Sequence, residues 1–208
     1  IMEAKICGIK DSKILNYILS HKLSPKFVGF ITNYIKSKRY IKYNRLKKLI
    51  DTKKRGVNFV AVLVSPKENF LEKIKHLNFD YYQLYDVSAY KTKIIKEKYN
   101  KKIISALTIE NKKDVKRYLD YQLVSDIILF DSKGYEKSIG FNHKLLNDVP
   151  KKITKMLAGN IQYYDKLDKY SKITDIIDIS GSLETSGEKD ISKIDVFLEN
   201  INKVKNAN

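Results

Sequence analysis

A thiol and a carboxyl group each end a short apolar run of this 208-residue sequence. Asp131 closes the run IILF, where packing gives no reason for a carboxylate, and this position indicates a function for Asp131. Cys7 closes the run AKIC and is the only cysteine of the chain. A lone cysteine is more often a small buried residue than a catalytic one, and both interpretations of Cys7 stay open at this point. If the fold brings the two groups together, they could serve as an acid and a base.

Small residues follow the last two apolar runs, in the segments LAGN (residues 157–160) and SGSLETSGEKD (residues 180–190). Gly159, Gly181 and Ser182 would let backbone N–H groups approach a phosphate. The chain has only eight glycines, so their presence after both runs favours a phosphate site. Tight turns between strands and helices are the alternative explanation. The other polar residues near the ends of runs are Arg39, Gln83, Tyr85, Asn160 and Asp178.

Short apolar, β-rich runs recur along the whole chain. They cover residues 4–7, 27–31, 59–64, 81–85, 102–107, 126–131, 153–158 and 175–180. Their continuous apolar character predicts strands that are covered on both faces. Amphipathic patterns between the runs predict helices, the clearest at residues 11–23, 69–77, 108–121 and 190–204. The helix at 108–121 is predicted to open at Thr108.

Eight strand-then-helix units predict a single-domain (β/α)8 TIM barrel over residues 2–205, because parallel strands joined by helical crossovers close naturally at this number. An open doubly wound sheet is the alternative. The first strand, however, leads into CGI and not into the GxGxxG motif of a dinucleotide site. In a barrel, function lies at the C-terminal ends of the strands, so the polar strand-end residues are predicted to share one mouth.

The formal net charge of +17 would suit a nucleic-acid surface. However, only four of the 41 basic residues are arginine, and the lysines are spread along the whole chain. This distribution favours solvated lysine faces, whose positive potential would still attract an anionic metabolite. A single cysteine excludes an intrachain disulfide, and no apolar run approaches the length of about eighteen residues that spans a membrane. We therefore expect a soluble, cytoplasmic monomer with no membrane or nucleic-acid partner.

Six segments, taken in order, resemble the phosphoribosylanthranilate isomerase family. They are KICGI (5–9), VGFITNYIKSKRYI (28–41), YYQLY (81–85), ILFDS (128–132), LAGNI (157–161) and DISGSLETSGEKD (178–190). Their spacing is that of the strands of a barrel. The chain departs from the family's pattern at Tyr85, where the family usually has histidine. It also departs at residues 132–143, which are fewer and poorer in glycine than the family's loop.

The resemblance implies an Amadori rearrangement of a phosphosugar attached to anthranilate, N-(5′-phosphoribosyl)anthranilate, without a cofactor or a metal. It implies that Asp131 is the general acid that opens the furanose ring and that Cys7 is the general base that removes the C2′ proton. Arg39 would bind the anthranilate carboxylate, and Gln83 and Asp178 would line the same pocket. The residues predicted to bind the phosphate are Gly140, Gly159, Asn160, Gly181 and Ser182.

Neither catalytic group has an ordinary pKa that suits its role, because near pH 7 a free thiol is mostly protonated and a free carboxyl is mostly ionised. Lys5 lies two residues before Cys7 and therefore on the same face of the strand, where its ammonium would favour the thiolate. The alternative is that Lys5 is a buried cation satisfied by an interior carboxylate or by Gln83. The apolar residues before Asp131 would raise the pKa of its carboxyl group by desolvation.

Two other kinds of function stay open. Other phosphosugar isomerases and epimerases on barrels are the alternatives within the enzymes, although their metal sites or paired aspartates do not match a cysteine on the first strand. A basic nucleic-acid-binding protein on a barrel scaffold is the alternative from a different class, because a barrel by itself does not decide the chemistry.

Overall fold

A closed ring of eight parallel strands forms the centre of the computed structural model, which describes residues 1–134 and 140–207. Each strand pairs with the next along the chain, and the eighth pairs with the first. The strands are β1 Glu3–Cys7, β2 Phe27–Ile31, β3 Asn58–Val64, β4 Tyr81–Tyr85, β5 Lys102–Ile109, β6 Ile127–Ser132, β7 Lys155–Ala158 and β8 Ile176–Ile179. The predicted single-domain (β/α)8 barrel is confirmed.

Helices connect most of these strands on the outside of the ring. They are α1 Ser12–Ser20, α2 Tyr43–Ile50, α3 Glu68–Ile74, α4 Ala89–Tyr99, α5 Lys112–Lys116, α6 Tyr118–Tyr121 and α7 Ile191–Asn206. The side chain of Asp11 caps α1 by accepting a hydrogen bond from the N–H of Ile14 at 2.9 Å. In α1, Ile14, Leu15, Ile18 and Leu19 are buried against the ring, as the amphipathic pattern predicts.

Two connections differ from the strand-then-helix pattern. Among the described residues, the connections after β6 and after β7 contain only short 3-10 helices, at His143–Asp148 and Leu167–Tyr170. In addition, β5 continues through Thr108 to Ile109, so the prediction that Thr108 opens a helix is wrong. The helix begins after Asn111 instead, because Asn111 and Asp114 form a capping box with each other's backbone N–H groups.

A two-stranded hairpin follows β8 and was not predicted. It pairs β9 Glu184–Thr185 with β10 Glu188–Lys189. Both strands of the hairpin carry charged residues, and the hairpin therefore places charged side chains beside the C-terminal mouth of the barrel. In residues 1–134 and 140–207, no helix is long and apolar enough to cross a membrane.

Successive side chains along each strand point to opposite sides of the ring, so the apolar residues form two clusters. One side faces the helices, and the other faces the axis of the barrel, where Phe27, Val60, Ile104, Leu129 and Met156 pack together. A few polar side chains share this inner side and occupy the half of the barrel nearer the C-terminal mouth. These inward polar side chains are Lys5, Gln83 and Asp178, all of them buried.

Candidate active site

One cavity of about 390 Å³ opens at the C-terminal ends of the strands. Cys7 at the end of β1 and Asp131 in β6 both line it, so residues separated by more than a hundred positions face the same space. The other predicted site residues that line the cavity are Arg39, Gln83, Gly159, Asn160, Asp178, Gly181 and Ser182. The size of the cavity is in the range of small-molecule sites. Within the described part of the chain, no three His, Cys, Asp or Glu side chains are grouped as metal ligands.

An ion pair lies beneath the thiol, inside the barrel. The Nζ of Lys5 donates a hydrogen bond to Oδ2 of Asp178 at 2.8 Å, and Lys5 has no exposed surface. Burial acts against the ammonium, but the carboxylate of Asp178 and the neighbouring Cys7 outweigh it and raise the pKa of Lys5. Lys5 is therefore a cation at neutral pH, and the interior carboxylate expected as its alternative partner is Asp178.

Gly29 on β2 makes room for this group of side chains. A Cβ at position 29 would lie 2.8 Å from Sγ of Cys7 and 3.3 Å from Nζ of Lys5. These distances show that the thiol and the ammonium both lie against the same point of the β2 backbone. A side chain on Gly29 would displace the thiol.

The protonation of Cys7 depends on two opposed effects. Burial raises the pKa of the Cys7 thiol, and the nearby Lys5 ammonium lowers it without cancelling the effect of burial. The thiol is consequently protonated in the resting protein at neutral pH. Lys5 thus favours the thiolate, as the sequence predicts, but it does not by itself outweigh the effect of burial on the thiol.

Asp131 has the shifted pKa that a general acid requires. Burial raises the pKa of its carboxyl group to about 6, although hydrogen bonds from Tyr85 and from the backbone of Ser132 act in the opposite direction. Tyr85 donates this hydrogen bond from Oη to Oδ2 of Asp131 at 2.7 Å. A carboxyl group with a pKa near 6 can hold a proton at neutral pH in a useful fraction of molecules.

Arg39 is held at the mouth by a carboxylate to which the sequence pattern assigns no role. Its Nε and Nη2 donate to the two carboxylate oxygens of Glu184, each at 2.8 Å. Lys189 donates to Oε2 of the same carboxylate at 2.6 Å. Burial acts against ionisation of Glu184, but these hydrogen bonds and charges lower its pKa. Arg39 and Lys189 thus share one carboxylate beside Gly181, and burial lowers the pKa of Lys189 although Glu184 acts in the opposite direction.

The loops after β7 and β8 meet at one side of the cavity. Gly159 has a φ of +94°, and a Cβ there would lie 2.0 Å from Oγ of Ser132, so only glycine fits. Gly181 opens a short 3-10 helix, and the backbone N–H groups of Gly181 and Ser182 donate to no acceptor in the described residues. The hydroxyl of Ser182 accepts from the N–H of Tyr163 at 2.7 Å and so joins the two loops.

Gly140 is the predicted site residue that the structure places elsewhere. It lies against the side chain of Asn160, where a Cβ would come within 3.1 Å of Nδ2, and it is not among the residues that line the cavity. The binding of a phosphate by Gly140 therefore stays a prediction. Of the segment 132–143, residues 135–139 lie outside the described residues.

Glu184 and Lys189 lie at the mouth although the sequence pattern assigned them no role, and the sequence indicated Tyr85 only as a strand-end residue that departs from the family's pattern. The segment DISGSLETSGEKD contains Glu184 and Lys189, but no local pattern states which cation a glutamate will pair with. An arginine predicted at a barrel mouth needs a carboxylate nearby to orient it, and this requirement is the signal that could have indicated Glu184.

Known proteins similar to this chain share the fold and the family. Residues 4–200 match the family described as N-(5′-phosphoribosyl)anthranilate (PRA) isomerase. The N-(5′-phosphoribosyl)anthranilate isomerase of Thermoanaerobacter pseudethanolicus is 27% identical over 210 residues, covering 99% of this chain and all of that protein. The crystal structure of phosphoribosyl anthranilate isomerase from Thermotoga maritima superposes with a TM-score of 0.85 at 24% identity, covering 98% of this chain and 100% of that chain.

A further solved structure of a phosphoribosyl anthranilate isomerase has a ligand bound. It is a complex with reduced 1-(o-carboxyphenylamino)-1-deoxyribulose 5-phosphate, and it superposes with a TM-score of 0.84 at 23% identity. The superposition covers 98% of this chain and 100% of the chain in the solved complex. At this level of identity the two structures establish the shared barrel fold.

Proposed function

Because the chain belongs to the N-(5′-phosphoribosyl)anthranilate isomerase family, we propose that it catalyses the Amadori rearrangement of N-(5′-phosphoribosyl)anthranilate in tryptophan biosynthesis. The product is 1-(2-carboxyphenylamino)-1-deoxyribulose 5-phosphate. The observation that carries this proposal is that the thiol of Cys7 and the carboxyl group of Asp131 line one cavity from different strands of the ring. The rearrangement requires one proton delivered to oxygen and one removed from carbon, and these two groups can supply both transfers.

The reaction begins with the acid. Asp131 gives its proton to the ring oxygen of the ribose, the bond between that oxygen and C1′ breaks, and the anthranilate nitrogen forms a double bond to C1′. The result is a protonated Schiff base. Cys7, as thiolate, then removes the proton from C2′. The electron pair of that C–H bond forms the C1′=C2′ bond while the π pair of the C1′=N bond returns to nitrogen, which gives a neutral enolamine. Transfer of the enol proton from oxygen to C1′ gives the ketone product.

The polar groups and the apolar lining of the cavity support one orientation of the bound substrate. The backbone N–H groups of Gly181 and Ser182, together with the loop at Gly159, would bind the phosphate. At the mouth, Arg39 would bind the anthranilate carboxylate, because its guanidinium is always charged, suits planar carboxylates and is held in place by Glu184. The aromatic ring would lie on the apolar part of the lining, formed by Ile31, Val62 and Val64.

Asp178 has a free oxygen that suits a substrate contact. Its Oδ2 is paired with Lys5, whereas the buried Oδ1 has no hydrogen-bond partner in the described residues. A buried carboxylate oxygen without a donor is costly, and a hydroxyl or N–H of the bound substrate would satisfy it. Gln83 has a similar unpartnered oxygen, Oε1, and lines the same cavity.

The proposed reaction can be tested with the wild-type protein. The fluorescent anthranilate adduct is generated in situ, and its decay is followed at increasing protein concentration. We expect a decay rate proportional to the concentration of folded protein. Folded protein that leaves the decay unchanged would contradict the proposal. Turnover of another phosphosugar by the same preparation would then favour the other isomerases, and a gel shift of nonspecific DNA at physiological ionic strength would favour the nucleic-acid alternative.

The effect of Lys5 on the ionisation of Cys7, the proposed base, gives a second prediction. Replacing Lys5 by methionine removes the cation that favours the thiolate, so the pKa of Cys7 should rise. The measurement is the rate of thiol alkylation against pH, which reports on Cys7 alone because the chain has no other cysteine. An unchanged thiol pKa would remove Lys5 from the activation of Cys7.

Breaking one half of a buried ion pair can cost about 3–5 kcal/mol of stability, so a second pair of variants accompanies this test. Asp178→Asn is compared with the double variant Lys5→Met/Asp178→Asn, in which no buried charge is left unpaired. We expect the thiol pKa to be higher in the double variant. Equal thiol pKa values in these two variants would likewise contradict a role for Lys5 in activating Cys7.

The cytoplasm is the location that we propose on chemical grounds, because the reducing conditions there keep the thiol of Cys7 available as a base. We also propose that the protein is a monomer. The expected result in sedimentation equilibrium is a mass of one chain at micromolar concentration, and a mass of two chains would contradict it.

A further inference from the structure

Three side chains from two strands form a row that ends at the general acid. Gln83 donates from Nε2 to Oη of Tyr85 at 3.3 Å, and Tyr85 donates to Oδ2 of Asp131 at 2.7 Å. Gln83 is 1% exposed and Tyr85 is 7% exposed. Tyr85 therefore meets Asp131 at the wall of the cavity, where Tyr85 is buried and Asp131 is half-buried.

The register of the barrel explains why a tyrosine reaches this carboxyl group. Gln83 and Tyr85 are two residues apart in β4, so both side chains point to the inside of the ring. Asp131 is in β6, and β5 lies between the two strands. A tyrosine has the length to cross in front of β5, whose inward residue at this level is the small Ala106.

When Asp131 is ionised, chemistry fixes the direction of the hydrogen bonds in this row. An ionised carboxylate can only accept, so the single proton of the Tyr85 hydroxyl points to Asp131. The oxygen of Tyr85 must then accept from Gln83, and this requires the NH₂ group of the amide on that side. If the amide had the opposite orientation, Oε1 of Gln83 and Oδ2 of Asp131 would both face Oη of Tyr85, whose single proton can be donated to only one of these acceptors.

We propose that Tyr85, oriented by Gln83, is a positioning residue that holds Oδ2 of Asp131 and thereby directs the acidic proton of Asp131 to its other oxygen, Oδ1. This role rests on the proposed function, in which Asp131 gives a proton to the ring oxygen of the substrate. Because Oδ2 accepts from Tyr85, a proton on Oδ1 leaves this bond intact, and the carboxyl group cannot rotate without losing it. The backbone of Ser132 also donates to this carboxylate and further restricts its orientation. The acid is therefore aimed before the substrate binds.

The same hydrogen bond has an electrostatic consequence. A donor to the carboxylate favours its ionised form and so lowers the pKa of Asp131, whereas burial raises it. Tyr85 keeps its own proton throughout, because burial raises its pKa well above the ordinary value, with a further contribution from Asp131. Tyr85 is thus a permanent donor and not a second acid.

The test is the replacement of Tyr85 by phenylalanine, which removes the hydroxyl and keeps the ring. We expect the pKa of Asp131 to rise from about 6 by about one pH unit. We also expect kcat to fall about 10-fold to 100-fold, since the carboxyl group is then free to rotate. The pKa is measured in the absence of substrate by carbon-13 NMR of the aspartate carboxyl groups, with the Asp131 signal identified by its loss in Asp131→Asn.

Tyr81→Phe is the matched control. Tyr81 lies two residues before Gln83 on the same inner face of β4, is 8% exposed, and packs its ring against Phe27 at 5.4 Å between centroids. Loss of its hydroxyl should leave both the pKa of Asp131 and kcat close to the wild-type values. If Tyr81→Phe and Tyr85→Phe have the same effect, the role of Tyr85 is structural and the proposal is wrong.

The NMR titration separates this inference from the proposed function. A pKa of Asp131 that is unchanged in folded Tyr85→Phe overturns the positioning role, whatever the enzyme does with its substrate. A pKa that rises as expected in a protein that does not rearrange the substrate leaves the contact established and contradicts the isomerase instead. A rise in pKa with an unchanged kcat would show that Tyr85 tunes Asp131 without aiming it, and this result also rejects the proposal.

Discussion

Replacing Asp131 by asparagine is expected to lower kcat at least about 100-fold without unfolding the protein, because general acids contribute about this much or more. The amide has the shape of the carboxyl group but cannot give a proton to the ring oxygen. It can still accept the hydrogen bond from Tyr85 through its carbonyl oxygen, so the local structure is retained. Steady-state kinetics with the fluorescence assay measures the loss.

The control for this variant is another carboxylate-to-amide change that lies far from the cavity. Asp148, whose side chain is 75% exposed in the connection after β6, is suitable as Asp148→Asn. This variant changes the net charge by the same amount as Asp131→Asn, but Asp148 does not line the cavity. Its turnover should therefore match the wild type. Near-wild-type turnover in Asp131→Asn would remove Asp131 from its role as the acid.

The pH dependence of the wild-type enzyme follows from the same assignment. In the proposed mechanism, activity requires protonated Asp131 and ionised Cys7, whose pKa values are about 6 and above the ordinary thiol value. Below about pH 6 the acid is already protonated, and each fall in pH only lowers the fraction of thiolate. Between the two pKa values the gain in thiolate is cancelled by the loss of protonated Asp131. We therefore expect kcat/KM to rise to about pH 6, stay level, and fall again above the thiol pKa.

Replacing Cys7 by serine is expected to have an effect of similar size, a loss of at least about 100-fold in kcat. Serine fits the space beside Gly29, but a hydroxyl is a far weaker acid than a thiol, so it is not ionised near neutral pH. Circular dichroism and thermal melting should show a folded protein, because the change replaces one small buried side chain by another. Wild-type turnover in Cys7→Ser would contradict the role of Cys7 as the base.

Chemical modification offers an independent check on the base. Cys7 is the only cysteine, so alkylation of the wild-type protein modifies one known atom. We expect alkylation to abolish turnover and the bound product to slow alkylation, since Cys7 is 7% exposed and lines the cavity. The residual turnover of Cys7→Ser should not change when the reagent is added, so this variant serves as the control.

The sequence by itself determined the barrel and most of the residues at its mouth. Regularly spaced runs of apolar residues predict strands without any knowledge of the tertiary contacts. The C-terminal ends of parallel strands then lie together at one side of the sheet. For this reason Cys7, Asp131 and Asp178 could be placed together without coordinates. Boundaries were less well determined where side chains compete locally, as at Thr108, where β5 extends until Asn111 caps the next helix.

Only the tertiary structure decided how the charged and polar groups are paired. Lys5 could have been satisfied by several interior groups, and it pairs with Asp178 because closure of the ring places the two residues directly opposite each other across β1 and β8. Arg39 and Glu184 are brought together by the loops of different strands, and Tyr85 reaches Asp131 across β5. These partners are far apart in the chain, and local periodicity holds no information on them. The register of the closed barrel and the lengths of individual side chains select one partner for each group, and both are properties of the assembled molecule.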